Sequence, residues 1–170
     1  SKAENLNAAL ELVHTDHVAL YDADHHPDPR SLLIATAHMA AHKTHCVQGS
    51  TYLRERPSLL AMYINAEFFV THFVFFPAME FVASFGIFGG SNALWRTADL
   101  RAYEFRSDVQ TEDIDVSARA ILNNRKLAFC PEARSGELTP ADLRTLYRQR
   151  LRWLIGWDQV RSARYSTCTQ

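Results

Sequence analysis

Three observations predict an α/β layer fold for this chain. Short apolar segments of strand character alternate with longer segments of helical periodicity, the pattern of helices packed on a sheet. Proline- and glycine-containing turns separate them. A length of 170 residues suits one domain with a real core. Hydrophobic residues make up 47% of the chain and the formal net charge is -1, which excludes a disordered segment and a globally basic nucleic-acid binder. Cys46, Cys130 and Cys168 have no CxxC spacing, so neither a disulfide framework nor a zinc ribbon is expected.

The elements follow in order. Residues 5–13 form a short helix with Leu6, Ala9, Leu10 and Val13 on one stripe. Residues 18–21 are a buried strand, ended by a turn at Pro27 and Pro29. Residues 30–42 are a helix and 44–49 a second strand. A helix is predicted over 57–81, with a break near Pro77, which has no N–H for the helical ladder. Residues 88–92 read as a turn or strand-edge loop. Residues 111–124 form a helix with Thr111 as N-cap and acids in the first turn, and 127–130 a third strand. The last helix opens at Thr139-Pro140, with Pro140 in the first helical position, and runs to about Val160. Residues 68–88 are long enough to span a bilayer. They contain His72, Pro77 and Glu80, so a buried or interface-lying helix is expected instead. The opening at Ser1, already in a helical run-up, suggests a piece of a longer protein.

Three constellations bear on chemistry. Asp22 and Asp24 lie two apart on an extended segment, so both carboxylates point to one side. Such a pair offers hard oxygens to Mg²⁺ or Mn²⁺ at the carboxyl end of a strand, or else caps an acidic turn. Asp113 stands in the first turn of its helix, where it complements the helix dipole or serves as a general base beside a pocket. In the last helix, Leu143, Tyr147, Leu151 and Leu154 are expected to face the core. Gln149, Arg152 and Trp153 cluster on the opposite side. There Arg152 suits phosphate oxygens and Trp153 offers a flat face to a sugar; the other reading is a helix buried on both sides. His38, His42 and His45 have zinc-like spacing without a completing ligand.

An ordered set of segments resembles family 2 glycosyltransferases, and within them the processive membrane synthases of cellulose, chitin and hyaluronan. KAENLNAAL at 2–10 is similar to the family's KAxNLN-type segment, and DADHHPDP at 22–29 to its DxD motif. FGGSNALWR at 88–96 is similar to the FxGS-type segment, TED at 111–113 to the TED motif, and QRLRW at 149–153 to QxxRW. The resemblance implies a partial GT-A-type α/β catalytic domain, single over 1–170, without the family's N-terminal strands. It implies inverting transfer from a nucleotide-sugar, usually a UDP-sugar, onto a growing glycan. Asp22 and Asp24 would hold Mg²⁺ or Mn²⁺ on the diphosphate, and Asp113 would be the general base. Gln149, Arg152 and Trp153 would bind diphosphate and acceptor, Lys2 would lie near the nucleotide, and Gly90, Ser91 and Glu112 would border the substrates. Gly89 replaces the cysteine of cellulose synthases, which sets the chain apart from them. Transmembrane segments outside this chain would hold the domain at the cytoplasmic side of a membrane, with no nucleic-acid partner. Addition of a single sugar to a lipid or glycan, or a non-catalytic carbohydrate-binding role, are the alternatives.

Overall fold

The computed structural model describes residues 1–54 and 58–168, with side chains to residue 163. The chain runs α1 (Lys2–Glu11), β1 (His17–Leu20), β2 (His26–Pro27), α2 (Ser31–His42), β3 (Cys46–Leu53), α3 (Leu59–Val70), a π-helical turn (Thr71–Phe75) and α4 (Phe76–Ala83). It continues through β4 (Ala93–Arg96), α5 (Thr97–Tyr103), α6 (Glu112–Leu122), β5 (Leu127–Glu137) and α7 (Leu143–Cys168). The five strands form one mixed sheet in the order β1-β4-β3-β5-β2. Only β3 and β5 pair in parallel; the other neighbours are antiparallel.

Alternation along the strands builds a core on each face of the sheet. Cys46 pairs with Trp95 and joins Leu10, Phe88, Leu100, Val116 and Leu127 under α1, α5 and α6. The next pair, Val47 and Leu94, points the other way, to Ala35 and Met39 of α2. A third cluster, with Phe76, Ile87, Ile114, Phe129 and Val160, ties α4 and α6 to α7.

Several sequence expectations are corrected. The first helix begins at Lys2, three residues early, because Ser1 and Glu4 form a reciprocal capping box. The strand expected to stop at Cys130 continues to Glu137 across a register shift. Pro131 cannot donate to the ladder, so β5 bulges there. Asn92 repairs the gap by donating from Nδ2 to the Ser50 and Ala133 carbonyls at 2.8 and 2.9 Å. The break expected near Pro77 sits one turn earlier, as the π turn at Thr71–Phe75. A proline ring crowds the carbonyl four residues before it, and widening that turn relieves the conflict. Pro57, the expected start of this helix, lies outside the described residues. Thr111 precedes α6 but makes no capping hydrogen bond. Pro140 is not the first residue of α7; the helix starts at Leu143, with the Asp142 carboxylate accepting the Thr145 N–H at 2.7 Å.

Within Leu59–Ala83 an 18-residue window has mean hydropathy 1.5, so by length and composition alone the stretch is long and apolar enough to cross a membrane. In this fold Ile64, Phe68, His72 and Phe76, spaced by four, turn inward. Leu59, Phe69, Phe81 and Val82 face outward.

Candidate functional site

A cleft of about 510 Å³ opens at the carboxyl end of β1. Its lining includes Lys2, Asp22, Asp24, Gly90, Ser91, Glu112, Asp113, Gln149, Arg152 and Trp153, so the residues singled out in sequence meet in one place.

The loop before β4 is the hub. Asp22 donates its backbone N–H to the Ser91 hydroxyl at 2.8 Å, which fixes the acidic turn. Gln48 of β3 is buried beneath the loop: its Nε2 donates to the Gly49 and Ser91 carbonyls at 2.9 Å, and its Oε1 accepts the Gly89 N–H at 2.8 Å. The Ser117 hydroxyl, one turn into α6, accepts the Phe88 N–H at 3.0 Å. Gly90 has φ +86, and a Cβ there would lie 2.7 Å from Asp113 Oδ2. Only glycine combines that backbone with that approach to the carboxylate.

Asp113 is half-buried at the start of α6, and its Oδ1 accepts the Ile114 N–H at 2.9 Å. Its pKa is pushed up to about 6, mainly by loss of solvation and then by the Glu112 carboxylate; hydrogen bonding at Ile114 and the charge on Lys2 pull the other way. Lys2 Nζ lies 2.6 Å from Asp22 Oδ1 and 3.5 Å from Glu112 Oε1. Burial opposes its charge, yet the Asp22 carboxylate, with Glu112 and Asp113 behind it, leaves the Lys2 pKa raised. His25 secures the far end of the acidic turn: Nε2 is 2.8 Å from Glu137 Oε2 and Nδ1 is 3.1 Å from Ser135 Oγ.

Among the described residues no group of three or more His, Cys, Asp or Glu side chains could hold a metal unaided. The extended Asp22–Asp24 segment expected from sequence is corrected: β1 ends at Leu20, and Asp24 lies in a turn closed by the His25 N–H donating to the Asp22 carbonyl at 3.0 Å. The two carboxylates share only the border of the cleft, where substrate phosphates would have to complete a site for a hard cation. Mg²⁺ in particular is commonly held by one or two carboxylates together with substrate phosphates. Asp22 Oδ1 is ion-paired with Lys2 Nζ at 2.6 Å, so a cation there would share or replace that contact.

Helix α7 forms the opposite wall, with a different face inward from the one predicted. Leu143, Tyr147, Leu151 and Leu154 are exposed, whereas Leu146 and Val160 are buried and Gln149 and Trp153 line the cleft. The reason is the register against α6. Gly156 sits where a Cβ would meet Thr111 Cγ2 and Oγ1 at 2.4 Å. Arg152 Nη1 donates to the Gln110 carbonyl at 3.1 Å, and Gln159 Oε1 accepts the Gln110 N–H at 2.9 Å. An aromatic wall of Phe68, His72, Phe75 and Phe76, with Trp157 beyond Trp153, completes the cleft. Burial lowers the His72 pKa to about 4, so the imidazole is neutral near pH 7. Sequence reasoning did not find Gln48, Ser117, Asn92 or this wall. A short polar residue after the glycine-serine pair was the one available signal, for Asn92 at φ 51.

Fold and cleft together define the GT-A-like class of glycosyltransferase domain. The sequence profile described as Glycosyltransferase like family 2 matches residues 1–156, and the chain belongs to that family. It is 29% identical over 163 residues to a protein named probable glucomannan 4-beta-mannosyltransferase 7 of Oryza sativa subsp. japonica, covering 91% of this chain. The chain spans 28% of that relative's length. Among solved structures it is similar to the mannosyltransferase PcManGT of Pyrobaculum calidifontis, in complex with GDP-Man and Mn²⁺, at TM-score 0.69 and 21% identity, covering 98% of this chain and 44% of that one. It is also similar to residues 1–349 of TarS from S. aureus, in complex with UDP-GlcNAc, at TM-score 0.53 and 16% identity, covering 82% of this chain and 39% of that one.

Proposed function

We propose that residues 1–170 are a single partial catalytic domain of a processive, inverting polysaccharide synthase that transfers a sugar from a nucleotide-sugar to a glycan. One observation carries the reading: Asp113, with its pKa raised to about 6, faces the same cleft as the acidic pair Asp22 and Asp24 and the Gln149–Arg152–Trp153 face. A carboxylate tuned toward neutrality can accept a proton at physiological pH more readily than an ordinary aspartate.

The acceptor hydroxyl gives its proton to the Asp113 carboxylate as its oxygen bonds to the anomeric carbon. The bond from that carbon to the diphosphate oxygen breaks on the opposite face, which inverts the configuration. Arg152 faces the leaving diphosphate, where negative charge grows. Lys2 neutralises the nucleotide end, and Gly90, Ser91 and Glu112 border the reacting groups. Asp22 and Asp24 would hold Mg²⁺ or Mn²⁺, which when bound supplies further positive charge to the diphosphate. Trp153 offers its ring to the acceptor sugar. The mannosyl transfer named for the rice relative and the GDP-Man bound in the Pyrobaculum structure put GDP-mannose first among donors to test, ahead of the UDP-sugars usual in synthases of this type. The exposed apolar faces of α3, α4 and α7 fit a domain held against the cytoplasmic side of a membrane by segments outside this chain.

The test uses the intact protein in membranes with radiolabelled GDP-mannose and a panel of UDP-sugars, with and without Mn²⁺ or Mg²⁺. We expect one donor to enter high-molecular-weight product in wild type and not in Asp113→Asn. A product lengthened by one sugar would overturn processivity. Undiminished transfer by Asp113→Asn would overturn the base assignment.

A further inference from the structure

We propose that Arg150, anchored by Glu67, is the positioning residue that sets the Trp153 indole for the acceptor sugar; this rests on the reading of the cleft as a glycan-accepting site. Arg150 occupies a variable position of the QxxRW pattern, and nothing in the pattern assigns it a task. In the structure each nitrogen of its guanidinium and one of its faces are engaged. Nε and Nη2 donate to Glu67 Oε1 and Oε2, each at 2.8 Å, a paired fork across two helices. Nη1 donates to Gln149 Oε1 at 2.7 Å. The flat face lies over Trp153, with the guanidinium carbon 4.1 Å from the ring centroid.

The geometry fixes two cleft residues through one plane. Glu67 of α3 sets the plane of the guanidinium, the plane sets the tilt of the indole, and the edge orients the Gln149 amide. Arg150 covers one face of Trp153, while the ring still borders the cleft. Glu67 borders the same cleft, so the brace stands beside the acceptor path. A half-buried indole without such a brace would sample several rotamers, and an acceptor would bear the cost of ordering it. Lysine cannot substitute, because an ammonium has neither the fork nor the face. The long apolar helix therefore takes part in the acceptor site through Glu67.

The experiment compares wild type, Arg150→Lys, Glu67→Gln and the exchange Glu67→Arg/Arg150→Glu in the intact protein. Transfer from GDP-mannose to mannotetraose gives kcat and the acceptor KM; ¹⁹F spectra of 5-fluorotryptophan-labelled protein, with the Trp153 signal assigned by Trp153→Phe, report the indole directly. Arg150→Lys should raise the acceptor KM about tenfold, with kcat changed less than about threefold, and should move or broaden the Trp153 signal. Glu67→Gln should do the same to a smaller extent. The exchange should recover thermal stability but not the acceptor KM, because a carboxylate then faces the indole. Recovery of KM by the exchange would overturn the proposal, since the ion pair alone would then suffice. An unmoved Trp153 signal in Arg150→Lys would overturn it as well. A displaced signal in a protein that transfers no sugar would sink the functional reading and leave the positioning of Trp153 by Arg150 supported.

Discussion

At the scale of single residues, Asp113 is where stability and activity pull apart. Its folded pKa of about 6 lies above the 3.8 of an ordinary aspartate, so the fold disfavours the ionised form. Below about pH 4 the group is protonated in both states and costs nothing; the cost develops between about pH 4 and 6 and is fully present above that. Asp113→Asn should therefore raise stability at pH 7.5 by about 1–3 kcal/mol, and the gain should all but vanish in thermal scans at about pH 3. The same variant should lower kcat about a hundredfold or more with donor affinity retained. A variant that is less stable at pH 7.5 would contradict the raised pKa. Gly90 is the second such residue. Gly90→Ala combines a strained φ of +86 with a Cβ 2.7 Å from Asp113 Oδ2, so it should cost about 1 kcal/mol or more and displace the carboxylate. Steady-state kinetics should show the larger loss in kcat. These positions were legible because short motifs fix their spacing. Gln48 was not: a lone glutamine in a strand carries no pattern, and its three loop contacts, to Gly89, Ser91 and Asn92, exist only after folding.

Among the elements, α7 shows how a periodic signal can select the wrong face. Leu143, Tyr147, Leu151 and Leu154 form the apolar stripe that usually turns inward, yet they are exposed. The inward face is chosen by close approach instead, since Gly156 admits Thr111 where any larger residue would collide. Gly156→Ala should separate α7 from the start of α6. We expect destabilisation of about 1–3 kcal/mol and a joint rise in the KM of donor and acceptor, because Gln149, Arg152 and Trp153 move together. A change in thermal stability alone, with both KM values unaltered, would show that α6 and α7 adjust without moving the site. The strand β5 teaches the complementary lesson. The strand predicted over 127–130 runs past Pro131 to Glu137, and that continuation depends on Asn92 from a distant loop, which local pattern cannot show.

For the molecule as a whole, the alternation of strands and helices was enough to predict layers, whereas strand order and the inward wall of α3 and α4 required the assembled sheet. Among the described residues, several large apolar side chains of α3, α4 and α7 are exposed. Phe81 is 90% exposed and Val82 81%, near the end of α4. Two adjacent large apolar side chains so fully exposed suggest a protein or membrane contact when they belong to a larger apolar patch. If the domain rests against a membrane through this face, the intact protein does not need these side chains to fold. Phe81→Ser/Val82→Ser should therefore change the stability of residues 1–170 by less than about 0.5 kcal/mol, as surface substitutions do. The same pair should weaken the partitioning of residues 1–170 onto phosphatidylcholine vesicles, read by co-sedimentation, about a hundredfold or more, since two buried apolar side chains contribute about 1.5–3 kcal/mol each. Unchanged co-sedimentation would show that the face meets protein rather than lipid, and a large loss of stability would place Phe81 in a core that the fold does not contain.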